Sequence, residues 1–114
     1  MRTLDDITLS KKDRQAVEAA AAILRQQFPV ESVVLFGSKA RGDDDAESDI
    51  DLLVLTSRPV TDAEKWRMTD ALFDLQLAME VVISKLVIPL EEWEHGLYQA
   101  LLIRQEVERE GAAA

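Results

Sequence analysis

Asp49 and Asp51 are separated by one residue at the mouth of an apolar run, "DIDLLVL". In an extended strand alternate side chains share a face. The two carboxylates then point the same way, about 6.6 Å apart at about 3.3 Å per residue, and Ile50 points to the other side. Acidic residues are unfavourable in strands, so two on one face need a compensating partner. Carboxylate oxygens suit a hard cation such as magnesium. Two such ions held together clamp the attacking and leaving oxygens of a phosphoryl transfer. Upstream, Gly37-Ser38 ends a second apolar run, Ser32–Phe36. A glycine there lets the backbone turn sharply and come close to a ligand. The free N–H groups of such a turn and the Ser38 hydroxyl can donate to phosphate oxygens. Lys39 and Arg41 are near enough in sequence to pair with the outer phosphates. The pattern offers a phosphate cradle and a metal-binding carboxylate pair on neighbouring strands.

The flanking elements must hold these residues. Ser10 with Asp13 starts a helix over roughly 11–28, with Val17, Ala20, Ala21, Leu24 and Phe28 at helical spacing and Pro29 ending it. Ser32–Phe36 reads as a buried strand, 39–48 as a polar connection with room for a helical turn, and Asp49–Leu55 as a second strand. Thr61 and Glu64 form a capping box before a helix over 62–79, whose apolar face is Met68, Ala71, Leu72, Leu75 and Met79. Val81–Ile88 is a third strand stopped by Pro89, and Leu90 to about Glu110 a last helix closed by Gly111. The order α-β-β-α-β-α implies an α/β or α+β fold, a small mixed sheet with helices packed on it. Residues 1–114 are expected to form one domain, with 1–9 a loose lead-in and 112–114 a disordered tail.

Composition narrows the function. There is no cysteine, so no disulfide framework and no thiolate metal site. The start of the chain does not read as a signal peptide, and no apolar stretch is long enough to span a bilayer, so a cytoplasmic protein is the default. The net charge of −9 argues against general nucleic-acid binding. It leaves room for a nucleotide substrate carried in by a divalent cation and for a basic partner protein.

"FGSKARG" followed by "SDIDLLV" resembles the polymerase-beta-type nucleotidyltransferase superfamily in its minimal nucleotidyltransferase branch. The signature is a Gly-Ser turn, a spacer of about ten residues (here 39–48) and an Asp-hydrophobic-Asp strand. The resemblance implies that fold and a nucleotidyl transfer from a nucleoside triphosphate. Gly37 and Ser38 would hold the triphosphate, ATP in the adenylylating members, and Asp49 and Asp51 two magnesium ions. It further implies an antitoxin that transfers AMP onto a HEPN-domain toxin partner. Relatives carry a third carboxylate on a later strand. Glu80 is the acid near that strand; in the alternative alignment it falls in the turn, and Val82 or Ser84 takes the acid's place. Two rivals follow: a degenerate module that neutralises its partner by contact alone, and an enzyme acting on a small hydroxylated molecule.

Other residues read more plainly. Asp43, Asp44, Asp45 and Glu47 form a solvated acidic loop. His95 is a surface residue, Trp66 and Trp93 cover the core edge, and Lys85 faces solvent, or a site if the third strand lines the cleft. In the last helix Trp93, Leu97, Ala100 and Leu101 make a core stripe. Tyr98, Leu102 and Ile103 widen the apolar surface, as an interface with a second copy or with a toxin would require.

Overall fold

The computed structural model describes residues 1–45 and 47–114. Five strands among them form one mixed sheet: β1 (Arg2–Thr3), β2 (Val30–Phe36), β3 (Ile50–Thr56), β4 (Ile83–Pro89) and β5 (Ala112–Ala113), in the order β1-β5-β2-β3-β4. β2 pairs antiparallel with β3, and β3 runs parallel to β4. The helices are α1 (Lys11–Gln27), α2 (Ser38–Arg41), α3 (Asp62–Met79), α4 (Leu90–His95) and α5 (Leu102–Glu110). The expected mixed α/β architecture is thus observed.

Alternation along the central strands builds two cores. Val33 and Leu35 of β2, with Ile50, Leu52 and Val54 of β3, meet the small-residue stripe Ala16, Val17, Ala20, Ala21 and Leu24 of α1 and the Met68/Leu72 face of α3. The intervening Val34, Leu53 and Leu55 turn to the other face and pack with Ile88, Trp93 and Val107. Both long helices begin as their caps dictate. Ser10 Oγ accepts from the Asp13 N–H at 3.1 Å, and Thr61 and Glu64 exchange both bonds of a capping box.

Three expectations are corrected. The terminal segments are not loose: Arg2–Thr3 and Ala112–Ala113 pair in register at the edge beside β2. Leu4 and Ala112 are buried, and the Ala114 N–H donates to the Val33 carbonyl. The final helix is not continuous from 90 to 110. It stops at Gly96, passes through a 3-10 turn at Leu97–Ala100, and restarts after the extended Leu101. A side chain at position 96 would come within 2.5 Å of the Glu92 carbonyl, so the glycine permits the chain to fold back tightly there. The stripe therefore dissolves: Trp93 is buried with Arg104 over its ring at 5.2 Å, whereas Leu97 and Leu101 are exposed. Trp66 does not cover a core edge but stands 69% exposed on α3.

Candidate active site

The site forms where β2 ends beside β3. Phe36 is the register partner of Asp51, which places Gly37 over the Asp51 carboxylate. Gly37 has φ +77°, and a Cβ there would lie 2.3 Å from Asp51 Oδ2. Position 37 is therefore restricted to glycine twice, by backbone conformation and by the carboxylate against it. Ser38 then opens α2, whose first N–H groups have no partner inside the helix. β3 starts at Ile50, so Asp49 is exposed just before the strand and Asp51 is half-buried on it. Burial, first, and then the negative charges of Asp49 and Glu106 raise the Asp51 carboxyl above the ordinary carboxylate range; Arg41 partly offsets them. A carboxylate held this way gains from a cation.

The two cations of α2 have separate surroundings. Lys39, expected at the outer phosphates, is 2% exposed, and its Nζ is bound by Asp13 Oδ2 at 2.8 Å and Asp44 Oδ2 at 3.2 Å. Desolvation opposes its charge, but the two carboxylates outweigh it and raise its pKa. It ties the acidic loop to the first turn of α1. Arg41 is one-third exposed and meets Asp43 at 3.1 Å, Glu106 at 3.0 Å and Glu110 at 3.3 Å. Its charge is felt at Asp51.

Glu80 lies off the third strand. It caps the C-terminus of α3 in the left-handed conformation, φ +53°, three residues before β4 begins. Its carbonyl accepts from Lys12 Nζ at 3.2 Å, and it borders a separate hollow with Asp13, Glu47 and Ser48. Ser84 is instead the register partner of Asp51. Glu106 is the site neighbour that sequence reading missed: α5 brings it to Arg41 and Asp51 from a distant stretch of chain, and helical spacing alone gave no sign of this. His95 is exposed, as expected.

Among the described residues no three His, Cys, Asp or Glu side chains converge on one point. Asp49 and Asp51 nonetheless fit magnesium, which is commonly held by one or two carboxylates and completed by substrate phosphates and water.

A family model described as "Nucleotidyltransferase domain" matches residues 17–110, and the chain belongs to that family of nucleotidyltransferases. A Methanocaldococcus jannaschii protein named "Putative protein adenylyltransferase MJ0141" is 38% identical over 87 residues, covering 76% of this chain and 80% of that one. A second protein of that organism, named "Putative protein adenylyltransferase MJ1379", is 39% identical over 54 residues, about half of each chain. Two solved structures share the fold. One is a toxin–antitoxin pair with AMP-PNP (TM-score 0.58, 20% identity, 91% of this chain and 72% of that chain). The other is a tri-AMPylated Shewanella oneidensis HEPN toxin in complex with MNT antitoxin (TM-score 0.55, 20% identity, 88% and 69%). No helix among the described residues is long and apolar enough to cross a membrane.

Proposed function

We propose that this chain transfers AMP from ATP onto a hydroxyl of a partner protein with the help of magnesium, and that the partner is a HEPN-domain toxin which it neutralises. The observation that carries the transfer is the packing of Gly37 against Asp51, which sets a strand-end turn directly over an electrostatically stressed carboxylate. The acceptor class rests on the relative named for protein adenylylation, and the toxin on the toxin–antitoxin pairs that share the fold.

In this reading the acceptor oxygen forms a bond to the α-phosphorus in line with the departing pyrophosphate. The α-phosphorus bond to the bridging oxygen breaks, and the acceptor proton passes to solvent. Asp49 and Asp51 hold the magnesium, which when bound neutralises charge on the phosphate oxygens. The N–H groups of the 37–39 turn and the Ser38 hydroxyl orient the triphosphate, converting the attack into an effectively unimolecular step. Arg41 faces the outer phosphates after exchanging its carboxylate partners for them. Lys39 acts from below by fixing α2 and the acidic loop. We assign Glu80 no contact with the reacting groups.

One observation favours a second reading, a module that neutralises by contact alone: the register partner of Asp51 on β4 is Ser84, which supplies no third carboxylate beside it. Incubation with a HEPN partner, ATP and magnesium, followed by intact-mass spectrometry, separates the two. AMP groups added to the partner, and absent with Asp49→Asn/Asp51→Asn, support transfer. A partner neutralised without any mass change supports the contact module.

A further inference from the structure

A hollow of about 430 Å³ lies away from the Asp49/Asp51 site, on the opposite face of the sheet between α3 and β4. Asp51 and its register partner Ser84 face the α4/α5 side, so the next residue, Lys85, points to the α1/α3 side with Leu52. Lys85 does not face solvent as expected. It is half-buried, and its Nζ donates to Thr69 Oγ1 at 2.6 Å. Among the described residues no carboxylate pairs with it. A lysine that merely guards an edge strand would extend into water; this one is folded inward and leaves its charge uncompensated. Burial lowers its pKa accordingly.

The rim holds a second unexplained group. Trp66 is 69% exposed, with its indole beside the hollow rather than packed in a core. Lys65 adds a second ammonium, Asp62 a single carboxylate, and Val87 an apolar floor. The lining is thus net cationic on a chain whose net charge is −9. The volume falls within the range of small-molecule sites, roughly 300–1,000 Å³. An exposed indole offers a stacking face for a flat ring, and a desolvated ammonium beside a hydroxyl offers an anion seat.

We infer that the α3/β4 hollow is a second ligand site, separate from the transfer site, for a small molecule joining a planar ring to an anionic group, a nucleoside monophosphate being the class that fits. Lys85 and Thr69 receive the phosphate and Trp66 stacks on the base. Because the proposed transfer site requires magnesium, the two sites can be told apart in solution.

The test titrates the full chain with AMP in EDTA, following tryptophan fluorescence and heat. Saturable binding is expected in the wild type and in Asp49→Asn/Asp51→Asn. Lys85→Met, which leaves Trp66 as reporter, is expected to weaken it at least tenfold, and Trp66→Ala to weaken the calorimetric signal similarly. Circular dichroism melts confirm that each variant is folded, and Lys85→Gln replaces Lys85→Met if the latter is not. Absence of saturable binding up to millimolar AMP overturns the inference. So does binding that Lys85→Met leaves unchanged, or binding that the double aspartate variant abolishes. Inorganic phosphate that competes as well as AMP does would also overturn it, because the ring would then contribute nothing.

Discussion

The two cations of α2 lie two residues apart and have opposite surroundings. Lys39 is sealed between Asp13 and Asp44, whereas Arg41 is one-third exposed among three carboxylates. Sequence treats them as one basic pair beside a phosphate-binding turn. Burial separates them: a sealed ammonium between two carboxylates is fixed in place, and an exposed guanidinium can exchange partners at little cost. One side of α2 is therefore scaffold and the other is available to a ligand. The turn that precedes them, at Gly37, serves both by fixing where α2 starts.

The sharpest way to break this division is at its root. Gly37→Ala places a methyl group 2.3 Å from Asp51 Oδ2 and forces L-residue backbone into φ +77°. Nucleotidyl transfer is expected to fall by about 10²-fold or more, as misplacement of a reacting group by about 1 Å can do; steady-state rates with a partner substrate measure it. Lys39→Met leaves Asp13 and Asp44 facing each other without a cation and is expected to cost about 3–5 kcal/mol of stability, read from urea denaturation. Asp51→Asn should act in the opposite direction. Its carboxyl is raised in the folded chain by burial and by Asp49, so the folded state holds that proton more tightly than the unfolded state does. The stability carried by the proton is complete below the ordinary carboxylate range and is lost as pH rises through the raised value. The variant should therefore melt above the wild type at neutral pH and converge with it in acid, even as transfer is lost. Arg41→Ala should be the mildest in stability, with a smaller loss than Lys39→Met in the same urea denaturation, and its main effect a higher KM for ATP. If Lys39→Met and Arg41→Ala destabilised equally, the division of α2 would be wrong.

The well-read part of the fold was the part with strong local signals. Ser10, Thr61 and Glu64 mark helix starts, and the α1 stripe and the alternation of Ile50–Leu55 are direct records of what they pack against. The same local code gave the Gly-Ser turn and the Asp49/Asp51 pair. What it missed depends on distant contacts. Ala112–Ala114 has no strand character of its own and becomes ordered by pairing with β1 and β2. The break at Gly96–Leu101 was bridged by apolar spacing that happened to continue through it. Glu106 reaches the site only because α5 folds back over β2 and β3, and the place of Ser84 beside Asp51 is a matter of strand register. Lys85 likewise read as a surface residue until the packing of α3 over β4 enclosed it.

The central claim is that Asp49 and Asp51 hold the cation through which nucleotide binds. Titration calorimetry of ATP into the chain, with and without magnesium, beside the Asp49→Asn/Asp51→Asn variant, tests it most directly. ATP binding at the transfer site should require magnesium and should disappear in the variant. Magnesium-dependent binding that survives loss of both carboxylates would contradict the account and move the cation elsewhere.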